Sequence, residues 1–238
     1  MTQPKIVSQD EWLVLRKKLL EKEKQLTRLG DELAKERQAL PWVRMEKDYV
    51  FDGPNGKVKL GDLFNGQSQL VVYHFMLGPG WREGCPSCSF VADHVDGMLV
   101  HLAARDVAFA AISRAPYQEI APFKARMGWR FTWVSSYETE FNRDYNVSFS
   151  KEEVARGDAY YNYGQNGFPS EEGPGVSVFV KDAKGGVFHT YSTYARGAEP
   201  ILGAYQLLDL VPKGRAEAGL PWPMAWVRHH DRYETNTA

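Results

Sequence analysis

The sequence predicts an α/β protein: a mixed central sheet with helices on both faces, a long helix ahead of it and an insertion before its last hairpin. Three observations predict this. Apolar, β-branched and aromatic runs at 69–77, 106–113 and 130–135 read as strands covered on both faces. Helix-periodic segments separate them with short connections, so right-handed crossovers make the strands parallel and place helices on both faces. Two more extended runs, 176–180 and 187–194, are joined by Ala183-Lys184-Gly185-Gly186 as a hairpin.

The elements follow in chain order. Residues 8–40 form one long helix, opened by Ser8 and Glu11 at the spacing of a capping box and closed by Pro41. Trp12, Leu19, Leu26, Leu33 and Leu40 recur at sevens, with Leu15 and Leu29 between them, while Lys22 and Glu36 interrupt the second row. Such a stripe fits docking on the protein's own body or pairing with a second copy. It sets a boundary between a helical segment, 1–41, and a main domain, 42–238. Asp52-Gly53-Pro54-Asn55-Gly56 is turn chemistry, so 49–60 reads as a hairpin. The first buried strand, 69–77, runs through a Gly-Pro-Gly loop into Cys85-Pro86-Ser87-Cys88 and a helix over 90–105. The second strand, 106–113, is followed by a helix over 117–127 with Gly128 as its cap. The third strand, 130–135, precedes an aromatic, glycine-rich insertion at 138–173 containing Tyr160, Tyr161, Tyr163 and Phe168. After the hairpin come a helix over 198–208 and a tail too aromatic to hang free.

Composition narrows the function classes. The 238 residues are 43% hydrophobic, and 29 basic against 30 acidic residues leave a formal charge of −1. No chain-wide electrostatic footprint for nucleic acid or acidic membrane is present. The opening MTQPKIVSQDEW lacks the apolar core of a secretory signal, and the apolar stretch 70–77 is too short to span a bilayer, so the expected location is the cytoplasm.

The chemistry centres on two cysteines. Cys85 stands between a buried strand and a helix, with Pro86 suited to the first helical position. Free first-turn amides and the helix dipole favour an anion there, which raises the thiolate fraction of Cys85. Cys88 lies one turn on, within disulfide reach, so Cys85 is expected to attack and Cys88 to resolve the mixed disulfide. No glycine-rich nucleotide fingerprint or phosphate loop indicates an organic cofactor. A rival reading is a copper or zinc site in which Cys85 and Cys88 are joined by His189 or His230. A third is an interaction module working through the 8–40 helix.

The segments GCPSCS (84–89), FAAISRAP (109–116), RMGWRFTWVSS (126–136), VSVFVKDAKGGVFHTYSTYAR (176–196) and WPMAWVRHHDRY (222–233) resemble a bacterial thioredoxin-like family known as domain of unknown function 899. Its members are thought to be dithiol-disulfide oxidoreductases near the peroxiredoxin branch. The resemblance covers residues 7–233. It implies a thioredoxin-like three-layer sandwich, acting on thiols or disulfides of proteins or small molecules. It also implies a cis-proline facing the cysteines, a place matched by Pro174. The sequence departs from better-known relatives in two positions. Where thioredoxins put tryptophan before the first cysteine, Gly84 stands here with Trp81 further back. Where peroxiredoxins put threonine three residues before the cysteine, Arg82 stands here, and its charge favours the Cys85 thiolate.

Three histidines complete the candidates. His74 in the central strand reads as a hydrogen-bonded core histidine, or else as a proton shuttle for Cys88. His229 and His230 sit side by side in the tail and point opposite ways if the segment is extended, so at most one serves the cysteine mouth. Tyr73, Tyr191 and Tyr194 read as sheet-packing residues.

Overall fold

The computed structural model describes residues 4–234. The chain divides into two compact units, Met1–Pro41 and Trp42–Ala238. The first unit is the helix α1 (Gln9–Gln38), opened by a reciprocal capping box between Ser8 and Glu11. None of its side chains is buried, and Leu26 is 71% exposed.

The second unit is built on one eight-stranded sheet. Its strands are β1 (Val43–Arg44), β2 (Val50–Gly53), β3 (Gly56–Lys59), β4 (Gln69–His74), β5 (Val107–Ser113), β6 (Thr132–Ser135), β9 (Gly175–Lys181) and β10 (Val187–Tyr194). A separate small hairpin, β7 (Tyr160–Tyr161) and β8 (Gly164–Gln165), lies in the insertion. The sheet order is β1-β10-β9-β4-β5-β6-β2-β3. β4, β5 and β6 are parallel, whereas β9 runs antiparallel to both β4 and β10. The order β10-β9-β4-β5, with a helical crossover between β4 and β5 and a hairpin between β9 and β10, is the thioredoxin fold.

Helices cover the sheet: α2 (Pro86–Asp96), α3 (Leu99–Ala103) and α4 (Tyr117–Met127), then α5 (Phe141–Asp144) and α6 (Lys151–Arg156) in the insertion, then α7 (Gly203–Leu208). The pleat sorts the strands into two cores. Leu70 and Val72 of β4, Ala108, Ala110 and Ile112 of β5 and Val134 of β6 face one, together with Phe141, Tyr145 and Phe179. Tyr73, Ala111 and Trp133 face the other, together with Phe75, Cys88, Val91, Ile120 and Phe123. The helix that follows Cys85 and the helix α4 therefore share one layer, and the insertion helps to close the opposite one.

Three elements differ from the sequence expectation. The helix over 90–105 is two helices, interrupted at Gly97 and Met98. Glycine is a poor helix former, and Asp96 turns its carboxylate to accept the Arg130 and Phe131 amides at 2.6 and 3.3 Å. The helix over 198–208 is a tight 3₁₀ stretch, Ala195–Ile201, followed by α7, with Pro200 inside the first piece and Gly203 opening the second. The short edge strand β1, paired with β10, had no signal beyond two exposed residues.

Candidate functional site

The site begins where β4 ends. Beyond His74 the chain stays anchored to the second strand: the Phe75 amide donates to the Ile112 carbonyl at 2.9 Å, and the Ala115 amide to the Leu77 carbonyl at 2.9 Å. The loop then turns back. The Cys85 amide donates to the Met76 carbonyl at 3.0 Å, and the Met76 amide donates to the Cys88 sulfur at 3.5 Å. One residue's backbone thus holds both cysteines. Pro86 takes the first position of α2, as its fixed φ favours. The Ser89 amide and hydroxyl both donate to the Cys85 carbonyl, at 2.9 and 3.0 Å, which fixes the first turn.

The two thiols are free and unlike. Cys85 is partly exposed; Cys88 is 1% exposed. The Cys85 thiol is lowered to about 7: the Cys88 side chain stabilises its thiolate first, and the Cys88 and Ser87 amides and the Ser87 side chain add to this against burial. The Cys88 thiol is pushed well up, by burial first and then by the anion forming on Cys85. A low thiol near solvent and a high one beneath it form an ordered pair.

Tyr73 lies under Cys88. It is 2% exposed, shares a buried cluster with Cys88, and its phenol favours the Cys88 thiolate against burial. Tyr161 of the insertion is close enough for its charge to feel Cys88; its hydroxyl donates to the Pro174 carbonyl at 2.7 Å and accepts from the Ala195 amide at 3.1 Å. Pro174 so reaches the dithiol's surroundings, but it is not cis: no cis peptide bond occurs among the described residues. The segment ahead of it is held extended by the insertion. The Phe149 amide donates to the Glu171 carbonyl and the Gly173 amide to the Val147 carbonyl, both at 2.9 Å.

Gly84 explains the missing tryptophan. A Cβ at that position would lie 2.5 Å from the Phe75 ring and 2.7 Å from the Phe123 ring. The residue before Cys85 must lie flat on an aromatic floor that includes Trp129 and Trp133. From the other side the tail clamps it. His229, 2% exposed, has Nε2 2.8 Å from the Gly84 carbonyl. A carbonyl only accepts, so Nε2 carries the hydrogen, and Nδ1 is left to accept from Arg126 at 3.3 Å. Arg126 also binds Glu83 and Asp231, and Arg232 reaches Glu83. Its neighbour His230 points away, to Asp93 at 2.7 Å.

The remaining candidates are dispersed. His74 faces the opposite layer from Cys88, stacked on Tyr145 and Phe141, with Nε2 2.8 Å from Ser177 Oγ. Burial lowers it to about 3 and keeps it neutral. His74 is thus the hydrogen-bonded core histidine, and strand parity removes the shuttle alternative: Tyr73, one residue earlier, enters the cluster of Cys88. His189 shares His74's layer, bonded to Ser192 and packed on Tyr145 and Phe179, so neither it nor His230 joins the two sulfurs. Among the described residues no group of three His, Cys, Asp or Glu side chains is arranged to hold a metal ion. Arg82 is exposed on the loop and is not a leading influence on Cys85. Trp81 is exposed on the loop before Cys85: its Nε1 and the Glu172 carboxylate both crowd Gly78, where a Cβ would lie 3.1 Å from each. Glu172 is buried and paired with Arg114 at 2.5 Å. Tyr73, Tyr161 and Glu172 were not singled out as chemistry in the sequence; of the two tail histidines, the one beside the reactive loop is His229. For Tyr73 a signal existed, since odd positions in 69–74 share a face with the following loop.

Among solved structures the chain is similar to the peroxidoxin BcpB from Mycobacterium tuberculosis, at 14% identity and a TM-score of 0.46, covering 71% of this chain and 96% of that one. It is also similar to a cysteine-to-serine mutant of peroxiredoxin Q from Xanthomonas campestris, at 13% identity and 0.45, covering 71% and 98%. A third is a putative thiol:disulfide interchange protein DsbE from Chlorobium tepidum, at 16% identity and 0.41, covering 71% and 98%. No curated protein matches the sequence. A family model described as "Bacterial protein of unknown function (DUF899)" matches residues 1–233. The chain belongs to that family.

Proposed function

We propose that this chain is a thiol-disulfide oxidoreductase in which Cys85 is the nucleophile and Cys88 the resolving thiol. The observation that carries the reading is the asymmetry of the pair: a partly exposed thiol lowered to about 7 at the start of α2, above a buried thiol that is pushed up. A thiolate near ambient pH attacks disulfides best, and a resolving thiol has to stay protonated until the first step is over. Trp81, exposed on the loop before Cys85, and the Pro174 loop are the proposed contact surface for a protein or low-molecular-weight disulfide. The reaction runs between sulfur atoms, so it needs no organic cofactor. Its proposed setting is the cytoplasm, where thiols are kept reduced; among the described residues no helix is long and apolar enough to cross a membrane. The exposed stripe of α1 is the proposed surface for pairing with a second copy.

The test is trapping. Reduced Cys88→Ser protein treated with a disulfide should accumulate a mixed disulfide on Cys85, read by intact mass and peptide mapping, and Cys85→Ser protein should accumulate none. Trapping on Cys88 instead, or silence in both variants, overturns the assignment.

A further inference from the structure

Cys88 is a buried thiol whose sulfur must become an anion to act, and no cationic side chain is a leading influence on it. The groups that meet it are backbone and phenol. The Met76 amide points at its sulfur at 3.5 Å, and Tyr73 of the sheet shares its buried cluster. Tyr73 reaches that place because β4 alternates: Leu70 and Val72 enter the far layer, and Tyr73 enters the layer of α2 beside Phe75, at 6.0 Å between ring centroids. A tyrosine used only for packing could be replaced by phenylalanine among Phe75, Val91 and Trp133. The hydroxyl in this apolar layer needs a polar partner, and the Cys88 sulfur shares that layer.

We infer that Tyr73 is a catalytic residue of the resolving step, donating its hydroxyl hydrogen to the sulfur of Cys88 as that sulfur becomes a thiolate. The inference rests on the oxidoreductase reading and assigns a role within it. In the first step the Cys85 thiolate attacks a disulfide R–S–S–R′. A Cys85–S–R bond forms, and R′–S⁻ leaves with the electron pair of the broken bond. The proton lost by Cys88 passes to that departing thiolate. The Cys88 thiolate then attacks the Cys85 sulfur, the Cys85–Cys88 disulfide forms, and R–S⁻ leaves. The substrate gains two electrons and the dithiol loses two. Tyr73 keeps its proton throughout. Burial first, and then the Cys88 sulfur, hold its phenol well above the ordinary range, so it serves as a donor and not as a base. Its donation lowers Cys88 while burial raises it, and the Met76 amide works in the same direction. Once the disulfide has formed the anion is gone, and this stabilisation with it. It therefore acts on the thiolate form and the path to attack.

An aromatic disulfide reagent that releases a coloured thiolate separates the two steps. Each attack on 5,5′-dithiobis(2-nitrobenzoate) releases one thionitrobenzoate: the first as Cys85 is modified, the second as Cys88 resolves. In Tyr73→Phe the first phase should stay within about twofold of the unmodified protein. The second should slow by roughly tenfold or more, the usual scale of a hydrogen bond to a charged group, and its pH profile should move to higher pH. A second phase of unchanged rate and pH profile in Tyr73→Phe overturns the role of Tyr73 and leaves the oxidoreductase reading in place. A missing second phase in the unmodified protein overturns the reading itself. Near-ultraviolet dichroism equal to that of the unmodified protein certifies that the variant is folded. If it is lost, site-specific 3-fluorotyrosine at 73 keeps the ring and strengthens the donor. It should speed the second phase, and an equal or slower rate counts against the inference.

Discussion

His229 Nε2 lies 2.8 Å from the carbonyl of Gly84, the residue immediately before Cys85, across 145 positions of sequence. The ring rests edge-on against Phe123 and takes a second bond from Arg126. What reads as a polar cluster in the tail is thus a brace for the reactive loop. His229→Ala leaves the Gly84 carbonyl buried without its donor, at a cost of about 1–3 kcal/mol. The variant should unfold at lower denaturant and should alkylate at Cys85 with an altered pH midpoint. His229→Gln can present an N–H near the Nε2 position and should recover part of both. Equal melting and equal pH midpoints in His229→Ala and the unmodified protein would show that the brace is idle.

Gly84 has no room for a side chain. Gly84→Ala drives a methyl group into the Phe75 and Phe123 rings and should cost about 1–3 kcal/mol, the range of overpacked cores. Gly84→Trp, which restores the thioredoxin pattern, should not give folded protein. Urea midpoints for the alanine variant and soluble yield for the tryptophan variant check this.

The pH dependence of Cys85 follows from its neighbours. Its thiolate should predominate above about pH 7, so the rate of iodoacetamide alkylation should rise with pH and reach its half-maximum there. The largest influence holding it down is the Cys88 side chain. In Cys88→Ala that donor is gone, and the midpoint should move up towards the free-thiol value of about 8.5. An unshifted midpoint would place the cause in the helix amides instead.

His74→Asn should leave both phases of the dithiol reaction at their normal rates, because the ring faces the layer opposite Cys88. Stability should respond. The folded protein holds this histidine at about 3, below its unfolded value of 6.5. The unfolded chain therefore binds more protons between those values, and the stability His74 confers is lost as pH falls from about 6.5. The substituted protein should show a flatter pH dependence of its urea midpoint over that window.

Residues 42–238 should fold and retain a reactive Cys85 without α1. Both cores are assembled from residues beyond position 44. A shortened chain that melts cooperatively and shows the same alkylation profile confirms this. If the full chain is dimeric by sedimentation and the shortened one monomeric, the stripe of α1 is the pairing surface.

How much was legible depended on whether the signal was local. Apolar runs and turn residues marked β4, β5, β6, β9 and β10, and Ser8 with Glu11 marked the start of α1, because pleat, turn and cap are written in adjacent residues. Cys85 and Cys88 were legible for the same reason: strand, loop and first helical turn are contiguous. The break at Gly97 was hidden because part of its cause, the Arg130 amide accepted by Asp96, lies 34 residues away. The trans bond at Pro174 reflects pairing with 147–149, and the fitness of Gly84 reflects a floor drawn from α4 and from the loop after β4. The choice between His74 and Tyr73 turned on one residue of strand parity. That parity is written in 69–74, whereas the contacts behind Gly97, Pro174 and Gly84 belong to the assembled fold and have no imprint within a short window of sequence.

The brace on Gly84 also sets a schedule. At typical rates of synthesis the ribosome needs about 10–30 s to make the stretch separating Gly84 from His229. During that interval Cys85 exists in a loop whose carbonyl has no ring to hold it and whose Glu83 has neither Arg126 nor Arg232 for at least part of the time. The nascent dithiol is therefore an immature one. A chain cut short anywhere in its final segment carries both sulfurs yet lacks the piece that fixes the loop in front of them.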